Sequence, residues 1–434
     1  MNAMHIAGTI IYILIFTVVY ILLILELDKK WRLSLAGALS AIFVAHVFGL
    51  FPAEKMGEFL GHNLATILTL FGLMAFSQLL RVSGVLQFVS IKMVKSQLGK
   101  YNPRRLFLLM GMLAFFSTLA LTNLVSVYII LSMVILLIGP LGLELLPWAM
   151  VITHIVSVGG CSSLLGSVPA ILTGEAAGIS FVEFLIYNIV PGLLSSYVFI
   201  LYIYYLSHEQ IPSTLPVRKE ILEEIDPWML VPEKRYFWIS AASILAIIII
   251  LVLQPVFQLT LEYVLLAIVV ILTYYAPVSF EEIWASIDYD LLIFICGIFI
   301  LVGGLEEIGI IPLFAKGLAY ISGDPKIAIW IFGLLVFVLS MVIENNALTV
   351  MMLPVAPVIA EILNYNKLPF YFALLWGVQT GGTAFILGDP ANFVTLSLLE
   401  HEGIKVTSKE FIKFSMLPAV ISMIIALTWI SLIF

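Results

Sequence analysis

Pro103, Gly111, Asn123, Pro147, Gly159, Gly160 and Gly166 recur as Pro325, Gly333, Asn345, Pro369, Gly381, Gly382 and Gly388, each displaced by the same 222 positions. A hydrophobic unit written twice, with Gly, Pro and Asn interrupting it at matched places, restricts the chain to architectures built from two equivalent halves. In membranes such paired, interrupted units place a binding site between the copies.

The rest of the sequence names the solvent. Of 434 residues, 62% are hydrophobic and only 11% charged, more apolar surface than one water-soluble core can hide. The chain therefore reads as an integral, multi-pass membrane protein with the lipid bilayer as partner, expected in the cytoplasmic (inner) membrane of the cell. Met1 to His5 lack a basic leader and no small-residue cleavage site follows, so the first apolar run is expected to remain as a span. Cys161 and Cys296 both fall in apolar segments, giving neither a disulfide framework nor a Cys/His metal cluster. A net charge of −7, diffusely spread, offers nothing to nucleic acid.

Apolar windows of about 20 residues place spans near 7–26, 34–51, 62–80, 147–174, 182–205, 236–253, 261–277, 289–305, 368–396 and 413–433. Two runs, 104–138 and 325–362, are too long for one span. They are interrupted by Thr122-Asn123 and by Glu344-Asn345-Asn346, and read as re-entrant helical hairpins with polar tips that need protein or water around them. Residues 83–100 and 308–322, after Gly84 and Gly309, read as interfacial helices leading into the hairpins. Basic residues Lys29, Lys30 and Arg32, then Lys92, Lys95, Lys100, Arg104 and Arg105, then Arg218, Lys219, Lys234 and Arg235 mark cytoplasmic loops. One threading satisfies all of these and also puts Lys405, Lys409 and Lys413 inside. It leaves both termini outside and brings the two hairpins in from opposite sides. The expected fold is an all-α polytopic membrane protein with two inverted repeats of five transmembrane helices, each carrying a re-entrant hairpin and a broken helix. Residues 1–206 form the first repeat and 236–434 the second. The Pro-rich, charged stretch 207–235, with its Glu220 to Asp226 acidic run, is a cytoplasmic linker.

Chemistry concentrates in the two tips and in two Gly-rich breaks, 159–169 and 381–392. Paired Gly with a following Pro can unwind a spanning helix, freeing carbonyls for a cation and N–H groups for an anion. Gly and Pro also serve transmembrane helices as packing and kink residues, and that reading stays open. Thr122, Ser162, Ser163, Thr383, Asn123, Asn345, Asn346 and Asn392 add neutral polar groups at the same depth as Gly159, Gly160, Gly381 and Gly382. Asp389 and Glu344 are the acids among them. A carboxylate at mid-membrane costs at least ~2.5–3.5 kcal/mol, so it marks an ion path, a proton relay or a buried partner, and proton and cation can compete for it. The alternative is a carboxylate that accepts backbone N–H bonds and never titrates. The first copy has Ser167 and Thr122 where the second has the acids, so any site is expected to be asymmetric, charged from the second half.

Gly-Gly-Thr-Ala-Phe-Ile-Leu-Gly-Asp-Pro-Ala-Asn at 381–392, with Glu-Asn-Asn-Ala-Leu-Thr-Val-Met-Met-Leu-Pro at 344–354, resembles the ion-transporter superfamily, in particular its arsenite-permease and NhaD-type (ArsB/NhaD) branch with citrate-transporter-like and magnetosome MamN-like proteins. The resemblance covers nearly the whole chain. It implies an inverted-repeat fold, a homodimer of scaffold domains, and transport domains that move like elevators. It carries the tip asparagines onto Asn123 and Asn345 and the break glycines onto Gly159, Gly160, Gly381 and Gly382. Where relatives often show an acid and an asparagine in the first break, this chain has Ser167 and Ala170. The Ser-Asn-Thr tips of dicarboxylate carriers are absent.

Other polar residues fit either function or packing: His154 as proton relay or hydrogen-bonded packing residue, Cys161 as metalloid contact or small buried residue, Glu306 and Glu307 as exposed interface groups. Tyr289-Asp290 with Leu387-Gly388-Asp389 is reminiscent of an intramembrane aspartyl protease, but Ile386 stands where that signature needs Gly. The reading is a secondary active transporter of small ions, not an enzyme, without cofactor. Its leading cargo is Na+ exchanged for protons, with arsenite, another oxyanion or an organic anion as the alternative.

Overall fold

A computed structural model describes residues 3–25, 29–96, 102–139, 142–212, 226–285 and 287–434. Most of the linker's expected features, including Arg218, Lys219 and the acidic run up to Ile225, lie outside the described residues, as does Lys100.

The described chain is helical. In order, α1 is Ala3–Leu25, α2 Lys30–Val47, α3 Lys55–His62, α4 Leu64–Ser83, α5 Val85–Lys95, α6 Pro103–Ser117, α7 Asn123–Ile138, α8 Leu145–Gly159, α9 Val168–Ala177 and α10 Phe181–Leu206. After the linker come α11 Lys234–Val252, α12 Leu261–Tyr275, α13 Tyr289–Glu307, α14 Ile310–Ser322, α15 Pro325–Ser340, α16 Asn345–Met352, α17 Val355–Ile362, α18 Leu368–Ala384, α19 Pro390–His401 and α20 Ser408–Ile433. Among the described residues seven helical stretches are long and apolar enough to cross a membrane, one of them the second hairpin's returning arm Asn345–Ile362, made of α16 and α17. The other expected spans and both hairpin arms include shorter apolar pieces. The run 147–174 is α8 plus α9 and 368–396 is α18 plus α19, because each contains a break.

Local chemistry repeats with the sequence. Asn102 caps α6 and Asp324 caps α15, each accepting two backbone N–H groups ahead of a Pro at the first helical position. Gly84 and Gly309 both take left-handed backbone (φ 75° and 79°) and turn the chain from a span into the short helices α5 and α14. Exposed Leu313, Phe314, Tyr320 and Ile321 give α14 the apolar face that a surface helix needs. The recurrence extends to the last helices at a displacement of 227: Ser180 and Thr407 form capping boxes with Glu183 and Glu410, and Pro191 and Pro418 lie inside α10 and α20. Of the five extra residues in the second copy, two lengthen α19 relative to α9 and three lie in the connection to α20.

Two packing groups result. Helices α1 and α13 pack on α2, and α4 and α11 pack on α12. In the other group α18 packs on α8, α9 and α15, α19 on α7 and α8, and α20 on α10 and α18. The hairpins and breaks of both copies thus form one body, while the first spans of each half form a second. Large exposed apolar residues such as Phe43 and Val270 lie on the outside of the first-span group, where lipid is the matching solvent.

Candidate functional site

Each hairpin tip docks onto its own break by one backbone bond. Asn123 N donates to Gly166 O at 2.8 Å and Asn345 N to Gly388 O at 3.0 Å, the same contact 222 residues apart. Glycine is required for the approach. A Cβ on Gly166 would stand 2.7 Å from Gly160 O and 2.8 Å from Thr118 O; one on Gly388 would collide with Gly382 Cα and Ser340 O.

The glycine pairs do different work in the two copies. Helix α8 stops at Gly159, but α18 continues through Gly381 and Gly382 to Ala384 and opens only at Phe385. The expected unwinding at Gly381 and Gly382 is therefore corrected: these two are helical. They are small because Cβ atoms there would meet Phe337 O and the Asn345 carboxamide. Three of the break carbonyls are also taken up by side chains. Gly382 O and Phe385 O accept from Asn392 Nδ2, each at 3.0 Å, and Gly160 O accepts from Ser167 Oγ.

Asp389 is fully buried at the junction of the copies. It caps α19, its Oδ1 accepting from Ala391 N at 2.9 Å. Three further donors are side chains. Ser157 Oγ lies 2.8 Å and Gln379 Nε2 3.2 Å from Oδ2, and Asn123 Nδ2 lies 3.5 Å from Oδ1. Ser157 and Asn123 belong to the first copy, so one carboxylate is held by both halves. Its counterpart Ser167 is an uncharged cap on Ala170 N.

The second acid sits at the other tip. Glu344 is 6% exposed, drier than a solvated tip would be. It caps α16 through Ala347 N, accepts from Asn346 Nδ2 at 2.7 Å, and faces Lys30 Nζ of α2 at 3.8 Å. A cavity of about 280 Å³ reaches this group, bordered by Lys30, Asp288, Asp290, Glu344, Asn346 and Pro390. An adjacent cavity of about 170 Å³ is lined by Thr122, Asn123 and Gln78. Both lie where α13 begins, the first also at the start of α2 and the second beside α4.

Other expected residues are spent on structure. Asn345, in its better-bonded amide orientation, donates to Val378 O and Gly388 O and so ties its own tip to its own break rather than reaching Asp389. Ser163 donates to Leu119 O behind the first tip, Ser162 points at Asn188 of α10, and Thr383 donates to Gln379 O within its helix. His154 packs, buried, between the Phe199 and Phe411 rings, but without the hydrogen bond expected of a packing histidine: neither ring nitrogen has a partner among the described residues. Cys161 is buried, Glu306 and Glu307 are exposed, and Glu307 pairs with Lys55 at 3.0 Å. Asp290 is exposed in the first turn of α13, unlike the buried Asp389. Ser157, Gln379 and Lys30 were not singled out from sequence as site residues. Applying the 222-residue offset to polar residues inside apolar helices would have paired Ser157 with Gln379.

The citrate transporter family model matches residues 20–377 and 313–434. A 46 kDa membrane protein of Mycobacterium leprae is 24% identical over 96% of this chain and 97% of its own. An uncharacterized transporter of Mycobacterium tuberculosis is 21% identical over 96% and 97%, and one of Synechocystis 21% over 94% of each. Among solved structures, the YdaH transporter of Alcanivorax borkumensis, described as having an unusual topology, superposes with a TM-score of 0.63 over 87% of this chain and 86% of its own, at 15% identity.

Proposed function

Since the chain belongs to the citrate transporter family and so is a multi-pass membrane transporter, we propose that it exchanges a small cation such as Na+ for protons by an elevator-like movement. The observation that carries this reading is Asp389: a carboxylate with no exposure, held by Ala391 N and Gln379 from its own half and by Ser157 and Asn123 from the other. Three of the donors are movable side chains. A cation entering beside the carboxylate can take their place, and a proton can neutralise it when the cation leaves. Beyond it, three acids (Asp288, Asp290 and Glu344) against the single Lys30 border the larger cavity, an excess that favours cation entry.

The threading of the basic loops puts the starts of α2 and α13 in the cytoplasm. In that frame the second half is inverted, the two cavities face inward, and the hairpin–break body is the part that moves against the first-span group. A homodimer through the latter is the expected assembly.

A second reading is supported by the family's description and by Lys30: a small organic anion such as citrate held between Lys30 Nζ, the Asn346 amide and the N-terminus of α7 at the first tip. Proteoliposome flux under an imposed pH gradient separates them. Proton release driven by Na+ or Li+ without any organic anion supports exchange. Proton movement that requires citrate and is indifferent to Na+ overturns it.

A further inference from the structure

Thr66 and Thr69 of α4 donate to the two oxygens of Glu175 on α9, at 2.5 and 2.7 Å. The contact joins the first-span group to the hairpin–break body, and the repeat locates its counterpart in the second half. Gly84 and Gly309 follow α4 and α13 at an offset of 225, so Leu291 and Phe294 stand where Thr66 and Thr69 do. The offset of 222 puts Ser397 of α19 in the place of Glu175. There the contact is open. Helix α9 packs on α4, but α19 has no comparable packing on α13 among the described residues. Ser397 is exposed, and Leu291 and Phe294 border the cavity of about 280 Å³ instead.

The register differs as well. Across that cavity Leu291 faces the start of α19 at Pro390, whereas Thr66 meets α9 at Glu175. Pro390 is equivalent to Val168, seven residues before Glu175, or about 10 Å along a helix. Two copies of one unit thus stand at different heights against equivalent spans. A body that carries α9 and α19 together by about 10 Å along these spans exchanges the two registers. Val168 then comes beside Thr66, and Ser397 beside Leu291. The chemistry does not exchange with them. Hydroxyl donors to a carboxylate make charge-assisted bonds, while Leu291 and Phe294 have no side-chain donor to offer.

We propose that Glu175 is a one-sided latch: through Thr66 and Thr69 it holds the hairpin–break body in its present position, and in the opposite position Ser397 lies against Leu291 and Phe294 without an equivalent bond. This rests on the sliding movement proposed above and not on the cargo. A bond made in only one of two states shifts the population toward that state. The resting protein therefore waits with the cavity beside Lys30 and Glu344 open.

Disulfide trapping in the full-length protein, reconstituted in liposomes with Cys296 replaced by Ala, tests the latch. Leu291→Cys and Ser397→Cys are introduced together, oxidised with copper phenanthroline, and the bridged peptide is quantified by mass spectrometry. A bridge needs the two Cα atoms within about 7 Å, so it reports visits to the opposite register. It should form slowly while the latch is intact. Thr66→Val with Thr69→Val removes both donors at nearly constant volume and should raise the bridging rate at least ten-fold. If that variant does not yield folded protein, Glu175→Ala must raise the rate in its place. Ready bridging at the same rate with and without the threonines overturns the latch and leaves the movement standing. No bridging in either background overturns the exchanged register, and the sliding movement with it.

Discussion

Ser157 and Gln379, separated by 222 residues, donate to the same oxygen of Asp389, at 2.8 and 3.2 Å. Positions equivalent by sequence thus converge on one carboxylate that only the second half supplies. Hydrogen bonds to a charged group contribute about 1.5–3 kcal/mol each, roughly ten-fold or more in affinity. Ser157→Ala removes the shorter bond and leaves no new unsatisfied group on its own side. Because an entering cation displaces this donor, its loss weakens the ion-free state and is expected to raise apparent cation affinity in flux assays about ten-fold, with a lower unfolding midpoint for the ion-free protein. An unchanged affinity would separate Ser157 from the transported ion.

Asp389→Asn should be more severe. Asparagine keeps the cap on Ala391 N through its carbonyl oxygen, so the protein should insert and fold. It removes the charge for which proton and cation compete, so coupled flux should be abolished. Wild-type flux in the purified variant would remove Asp389 from the mechanism.

The tips and breaks were legible because Gly, Pro and Asn punctuate apolar runs, and the matched spacing made the punctuation significant. Other features were not. Helical periodicity gives no face in a run apolar all round, so nothing in the sequence showed that Ser157 points at Asp389 while Ser162 points at Asn188. Gly381 and Gly382 read as a break because paired Gly can unwind a helix. Their actual constraint, the approach of the Phe337 carbonyl and the Asn345 amide, is a tertiary contact. Lys30 served as a topology marker, and its reach to Glu344 spans more than 300 residues of chain.

Gly382→Ala tests that contact. A Cβ there collides with the Asn345 carboxamide, which is itself committed to Val378 O and Gly388 O and cannot withdraw freely. Overpacking of this kind costs about 1–3 kcal/mol. A lower unfolding midpoint is expected. Gly317→Ala on α14 is the control: no atom lies within 4 Å of its Cβ, and alanine in a helix interior gains about 0.5–1 kcal/mol. Equal stability of the two variants would contradict the packing.

The inversion of the second half has its own test. Single cysteines at Asp290 and at Tyr320, both exposed, are placed by the threading on the cytoplasmic and outer faces. With Cys296 replaced by Ala and Cys161 buried, an impermeant maleimide applied to right-side-out vesicles should label position 320 and not 290. Labelling of both from one side would rule out the threading.

Movement is tested where the two bodies touch. Thr66 lies on α4 of the first-span group and Glu175 on α9 of the hairpin–break body, within hydrogen-bond distance of each other. If alternating access carries the tips and breaks together past the first spans, this contact must separate in every cycle. If only a hairpin opens, it can persist throughout, since neither residue lies on a tip. Cysteines at both positions, joined by a short bifunctional reagent, should therefore cut turnover at least ten-fold. Cation binding to the cavity beside Lys30 and Glu344 should survive, because nothing in that group is altered. Each single-cysteine variant treated with the same reagent controls for loss of the Glu175 hydrogen bonds themselves. Full turnover in the crosslinked protein would exclude the sliding movement and leave local opening of a hairpin as the means of access.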